Sequence, residues 1–308
     1  YPFKALNITN KDLSVISNIA TDEFSKIKVP SFAIHRSELQ RILLNQLLGV
    51  KINLGKKLNN LSKSDNGYEL IFEDGSRTTA SVVIGADGIH SKVREEINIE
   101  VEKRDANQVC WRGVVDFKLP EKYGYQLYEM WGEGNRFGFV QIGINKVYWY
   151  GLKTSLEKET LSKEDLKSLF KNYHPIVNNI ISKTNEGVII TNKIMDIKPI
   201  DNWIKGKVCL IGDAAHATTP NMGQGACQSI EDALVLAREL SEPQEVETAF
   251  QKYQKYRVIK ANKVISTSWS VGKVSHYKNP IAVGLRNFMM KNIPKSMMKK
   301  QNEFLYEI

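Results

Sequence analysis

The stretch CLIGDAAHATTPNMGQGACQSIEDA, residues 209–233, sets an acid, a glycine-rich turn and the start of a helix close together. Its first residues have the pattern of a buried strand. A carboxylate at the end of such a strand, Asp213 after Gly212, is held in place and accepts hydrogen bonds from the hydroxyls of a sugar or sugar alcohol. Gly223 and Gly225 permit unusual backbone angles and let a ligand approach the main chain. The helix beyond them offers unpaired N–H groups and a positive dipole end to an electron-rich or anionic ring. A Gly-Asp pair alone serves equally well as a structural turn with the acid as a cap. The order of all these features is what points to a ligand.

These residues need elements to position them. SVVIGADGIHSKVRE, residues 81–95, repeats the layout: a solid apolar run suits a strand covered on both faces, and it ends in Asp87-Gly88, where α/β sheets place ligands. Upstream, SFAIHRSELQRILLNQLL (31–48) predicts a helix with Leu39, Ile42, Leu43 and Leu47 in period and Ser37 with Gln40 as a capping box. Strands are expected at 50–54 and 58–63, and GYELIFEDGSRTTA reads as a hairpin turning at Asp74-Gly75.

Residues 109–152 are strand-like, and 123–150 hold nine of the 28 aromatic residues, which marks an antiparallel sheet in a second domain. Within it GEGNRFG (132–138) misses the GxGxxG spacing and is expected to be a hairpin turn. A helical stretch at 162–182 and an extended one at 188–200 lead to VCLIGDAAH, which rejoins the first sheet. The helix expected at 226–240 carries Ala226, Ile230, Ala233, Leu234, Ala237 and Leu240 near one face.

A chain of 308 residues can hold two domains. Its 43 Lys and Arg against 34 Asp and Glu give +9, but the basic residues are scattered and no nucleic-acid-binding pattern appears, so nucleic acid is not expected as a partner. Cys110, Cys209 and Cys227 lie far apart, without CxxC spacing, which fits a reducing cytoplasm. No apolar run is long enough to span a bilayer, and the expected location is cytoplasmic.

The motifs GDAAHATTPNMGQGACQSIEDA, VVIGADGIHSKVRE and IHRSELQRILL, in this family's order across residues 34–240, resemble those of class A flavoprotein monooxygenases of the p-hydroxybenzoate hydroxylase type. The tail from about 266 to 308 further resembles bacterial members akin to zeaxanthin epoxidase, salicylate hydroxylase and urate hydroxylase. The resemblance implies FAD as cofactor, NADH or NADPH as reductant, and O2. It also implies a flavin C4a-hydroperoxide that hydroxylates or epoxidises a small aromatic or otherwise apolar substrate. The flavin would carry the chemistry, so no side chain is assigned as catalytic and no metal is expected. His216, despite its Asp-x-x-His spacing, is assigned a structural or cofactor-adjacent place.

Carried over residue by residue, Asp213 with Gly212 would hold the ribityl chain, and Pro220, Gly223, Gln224, Gly225 and Ala226 would lie beside the isoalloxazine ring. Asp87 and Gly88 would lie near the pyrophosphate and the reductant route, and Arg36 would contact the flavin. Gln40 and Arg94 are further cofactor candidates, with half a capping box and a helix surface as their alternatives. Trp111, Phe139, Tyr148 and Tyr150, together with Pro220, are candidates for the substrate wall, of which strand alternation lets about half face a pocket.

The family opens with a strand–GxGxxG–helix unit, and nothing before residue 31 resembles one. The expected fold is α/β: a Rossmann-like FAD/NAD(P)-binding domain without that N-terminal βαβ unit, an antiparallel β-sheet substrate domain and C-terminal helices. Residues 1–98 and 195–265 would form the FAD-binding part, 99–194 the substrate domain and 266–308 a helical tail. The basic, Met-rich tail either packs on the FAD domain or makes a peripheral membrane contact. A flavin oxidoreductase that inserts no oxygen, and a non-catalytic remnant, remain as alternatives.

Overall fold

In the computed structural model, residues 1–21, 31–155, 160–294, 296–297 and 303–306 are described. The helices are α1 (Arg36–Leu44), α2 (Lys92–Glu96), α3 (Lys163–Leu169), α4 (Pro175–Lys183), α5 (Asp213–His216), α6 (Gly225–Ser241), α7 (Val246–Ser275) and α8 (Pro280–Lys291). The chain forms two units. One gathers Tyr1–Gly49, Asn107–Ile194 and Lys273–Glu307, the other Val50–Ala106 and Met195–Gly272.

The first unit is built on a seven-stranded sheet in the order Ile190–Ile197, Lys103–Asp116, Lys146–Thr154, Asn135–Gly143, Gln126–Trp131, Ala5–Thr9, Val15–Ala20. The aromatic strands pair antiparallel, as their alternation predicts, and GEGNRFG closes the hairpin between Gln126–Trp131 and Asn135–Gly143. Ala5–Thr9 adds to Gln126–Trp131 in parallel. That pairing draws residues 1–49 to this sheet, away from residues 50–98 with which the sequence had grouped them.

Alternation gives the sheet two different faces. Val109, Trp111, Phe137, Phe139, Val147 and Trp149 point to one side, where Phe170, Val177, Ile180 and Ile181 of the α3–α4 segment complete a core. Packing there leaves no room for a side chain at Gly151, where an added Cβ would stand 2.8 Å from the Phe170 ring. The expected helical stretch at 162–182 divides in two. A Ser162–Asp165 capping box opens α3, and Pro175 opens α4 after His174, whose backbone N–H donates to Lys11 O at 2.7 Å.

In the second unit Val83–Gly85 and Val208–Leu210 pair in parallel, with α5, α6 and α7 contributing Ala214, Ala215, Val235, Leu236, Phe250 and Tyr253 to their core. The hairpin of Gly67–Phe72 and Arg77–Ala80 turns at Asp74-Gly75 as expected, joined by Leu58–Ser64. The strand expected at 50–54 is absent. Two other local expectations also change. Helix α1 begins at Arg36, which puts Ser37 inside the helix, and the N-cap is His35 with no side-chain cap bond. In α6 the apolar stripe faces outward, because Gln228, Asp232 and Glu239 are drawn inward by polar partners.

Candidate cofactor site and substrate face

The register Val208↔Val83, Cys209↔Ile84, Leu210↔Gly85 brings the two acidic motifs to one strand edge. Ile211 N–H donates to Gly85 O at 2.9 Å just beyond it. Gly85 is required by this close approach, since a Cβ there would stand 2.8 Å from Val93 and 2.9 Å from Leu210 side-chain atoms. The chain then turns through Gly88 and Gly212, at φ of +82° and +58°. Such angles favour glycine.

Asp213 opens α5 with its side chain exposed, and among the described residues its carboxylate has no hydrogen-bond or ion-pair partner. A network that sequence reasoning missed fixes the turn from behind. Gly212 N–H donates to Asp232 Oδ2 at 2.8 Å, and His216 Nε2 donates to the same oxygen at 2.5 Å. Arg257 Nε donates to Asp232 Oδ1 at 2.8 Å and its Nη2 to Gln228 Oε1 at 2.8 Å. His216, Asp232 and Arg257 are all buried. Burial pushes the Asp232 carboxyl up, but His216, Arg257 and the Gly212 N–H together hold it below its ordinary value of 3.8. Asp232 is the last acid of the quoted motif, whereas nothing in the sequence around Arg257 marks it as a partner.

In the other motif Asp87 is occupied by its own helix. Its Oδ2 accepts from Lys92 N–H at 2.7 Å and Val93 N–H at 3.0 Å, and Oδ1 accepts from Ser91 Oγ, so it caps α2. Gly88 beside it has no atom within 4 Å of where a Cβ would be. Arg94 is buried and donates to Ala214 O at 2.7 Å and Ile89 O at 2.8 Å, tying this loop to α5.

The turn Pro220–Met222 ends at Gly223, at φ +64°, and α6 starts after Gln224 with no side-chain cap. Pro220, Gly223 and Ala226 are exposed, Gln224 and Gly225 half-buried. The first-turn N–H groups of α6 are thus without a side-chain cap, the arrangement that suits an electron-rich ring edge. The free Asp213 carboxylate, open glycines and uncapped helix fit FAD, whose ribityl hydroxyls need an acceptor and whose reduced ring needs donors. Arg36 and Gln40 lie exposed, one turn apart on α1, in the first unit.

The four sheet aromatics divide between faces. Trp111 and Phe139 are fully buried in the core under α3 and α4, because residues 111 and 139 share the face of Gly151 and Trp149. Tyr148 and Tyr150 point to the other face, rings 6.0 Å apart, beside Arg112, Leu127, Glu129 and Val140. The Tyr150 hydroxyl donates to Glu129, which also accepts from Arg136 Nη1 at 2.9 Å and Trp131 Nε1 at 2.6 Å. The ring of Tyr150 lies across Gly138, where a Cβ would clash at 2.2 Å. Burial pushes the Tyr148 hydroxyl up to about 12, with the Arg112 guanidinium pulling the other way. Arg112 Nη2 donates to Asn192 Oδ1 at 3.1 Å.

An acid and an uncapped helix N-terminus behind a parallel strand pair, in a chain that also carries an aromatic antiparallel sheet, define a flavin-dependent oxidoreductase. The chain belongs to the FAD binding domain family, which matches residues 24–268. It is similar to the aurachin C monooxygenase/isomerase of Stigmatella aurantiaca, at 35% identity over 87% of this chain and 70% of the relative. It is also similar to the 2-heptyl-3-hydroxy-4(1H)-quinolone synthase of Pseudomonas aeruginosa, at 29% identity over 99% of this chain and 80% of the relative. Its fold matches that of Klebsiella pneumoniae HpxO complexed with FAD and uric acid, with a TM-score of 0.89 at 22% identity over 99% of this chain and 81% of that one. The chain is an FAD-dependent monooxygenase. Among the described residues no helix is long and apolar enough to cross a membrane.

Proposed function

We propose that this enzyme hydroxylates a flat, largely apolar heteroaromatic ring of the 4-quinolone type. The observation that carries this is the sheet face opposite the α3–α4 core: Tyr148 and Tyr150 rings with Leu127 and Val140, and the Arg112 guanidinium beside the Tyr148 hydroxyl. The name of one relative, a 2-heptyl-3-hydroxy-4(1H)-quinolone synthase, supports the same substrate class. When bound and reduced by NAD(P)H, FAD would supply the activation of O2, one oxygen atom going to the ring and the other leaving as water. The residues of the chain bind and orient. Asp213 accepts from the ribityl hydroxyls, and the α6 N-terminus with Pro220, Gly223, Gln224, Gly225 and Ala226 faces the ring. Gly88 gives the pyrophosphate close approach.

At neutral pH the Tyr148 phenol keeps its proton, being pushed up to about 12, and donates it in a hydrogen bond to a ring carbonyl. Arg112 favours the negative charge that develops on that oxygen as the ring is attacked. The Asp87 carboxylate acts here through α2 and the loop it caps rather than on the cofactor directly. The basic tail makes a peripheral membrane contact, close to a source of apolar substrate.

The test is turnover with FAD, NADH or NADPH and isotopically labelled O2 on 2-heptyl-4(1H)-quinolone, salicylate and urate. Transfer of one labelled oxygen to the quinolone supports the reading. Transfer to either of the others alone, or peroxide release without product from all three, refutes it.

A further inference from the structure

Helix α8 is built the reverse way from an ordinary surface helix. Its exposed stripe is Ile281 at 82%, Leu285 at 58%, Phe288 at 68% and Met289 at 59%, while the guanidinium-bearing Arg286 is only 4% exposed. Polar bonds fix that orientation. Arg286 stacks 5.1 Å over the Trp131 ring and donates through Nη1 to Ser275 O at 3.2 Å, and Asn287 Nδ2 donates to Asn10 Oδ1 at 2.8 Å. The N-cap Asn279 accepts from Ile281 and Ala282 N–H groups, and Pro280 follows it. Rotating the helix to hide the apolar stripe would break the Arg286 and Asn287 contacts.

Charge says what the stripe faces. Lys278 and Lys291 stand exposed at its two ends, and no acidic residue lies on α8. From Lys273 to Asn302 the sequence holds seven Lys and Arg and no Asp or Glu. The outward apolar residues of α1, by contrast, share their exposed surface with Glu38. An amphipathic helix with apolar residues on one face and lysines at its edges binds in the headgroup region of anionic bilayers.

We propose that α8 docks on an anionic lipid surface, with Ile281, Leu285, Phe288 and Met289 entering the acyl boundary and Lys278 and Lys291 meeting lipid phosphates. This rests on the membrane part of the function proposed above and is independent of which ring the enzyme oxidises.

The test is co-sedimentation of the full chain with phosphatidylcholine vesicles, alone and with phosphatidylglycerol, at low and high salt. The probe variant is Leu285→Glu/Phe288→Glu, whose exposed positions leave the core intact, with circular dichroism as the check on folding. A second variant, Lys278→Gln/Lys291→Gln, reads the electrostatic part without touching the apolar stripe. The expected result is binding to the phosphatidylglycerol vesicles that weakens in salt, falls at least about tenfold in the glutamate variant and falls partly in the glutamine variant. Failure to sediment with anionic vesicles, or equal sedimentation of the glutamate variant, overturns the proposal. So does a lipid-free dimer in sedimentation velocity that Leu285→Glu/Phe288→Glu converts to monomer, since the face then belongs to a second copy. Quinolone turnover in vesicle-free buffer reads the oxygenase function separately, so loss of one does not imply loss of the other.

Discussion

Asp213 and Asp232 are carboxylates bound to the same turn, and they serve it in opposite ways. Asp213 is exposed and unpartnered among the described residues, so replacing it costs the fold little. Asp213→Ala is expected to weaken FAD binding by about 10- to 150-fold, the worth of about 1.5–3 kcal/mol for a charge-assisted hydrogen bond. Flavin absorbance titration measures it, with an unchanged midpoint of cofactor-free unfolding as the control. Asp232 is fully buried between His216 and Arg257. Asp232→Asn leaves the Arg257 charge without its full partner and is expected to cost about 3–5 kcal/mol in denaturant unfolding.

The sign of the pH dependence follows from the lowered Asp232 carboxyl. Its contribution is present above the ordinary value of 3.8 and is lost as pH falls below that value through the folded one. Wild type should therefore lose stability in acid more steeply than Asp232→Asn, and a difference that instead opened at alkaline pH would refute this account.

At the scale of elements, the sheet face depends on a missing side chain. A Cβ at Gly138 would stand 2.2 Å from the Tyr150 ring, which cannot retreat while its hydroxyl is bonded to Glu129. Gly138→Ala is expected to cost about 1–3 kcal/mol of stability by overpacking and to raise the KM for substrate while FAD affinity stays as it was. Steady-state kinetics beside a flavin titration separates the two.

The same sheet shows how far sequence pattern reaches. Solid apolar runs located both parallel strands, because burial on two faces leaves a composition signal, and the Asp74-Gly75 turn was legible from its chemistry. Alternation said that Trp111, Phe139, Tyr148 and Tyr150 could not all face one way, but which pair looks inward depends on where α3 and α4 pack, and that is a long-range fact. The inward face of α6 is hidden from the sequence for a similar reason. Its pattern favoured the alanines and leucines, and the winning partners, Arg257 and the Gly212 turn, come from other segments. Ser37 is not a cap because the helix begins two residues earlier than the motif requires.

At the scale of the molecule, two separate cores predict how the cofactor is felt. One core lies under α3 and α4, the other between the parallel strands and α6–α7, so a single two-state transition is not required. The FAD contacts proposed above, Asp213, Gly88 and the α6 N-terminus, belong to the second unit. A ligand present at 100 times its Kd stabilises the state that binds it by about 2.7 kcal/mol. In a unit of this size each kcal/mol moves the midpoint by about 2–4 °C, so FAD should raise one transition by about 5–10 °C. Phe250→Ala, which opens a cavity in the second core, identifies that transition by lowering it, and Phe170→Ala does the same for the first. FAD is expected to raise the transition that Phe250→Ala lowers, and Asp213→Ala should abolish the rise. If FAD instead raised only the transition marked by Phe170→Ala, the cofactor would be held by the first unit, and the assignment of Asp213 and the α6 N-terminus to it would be wrong.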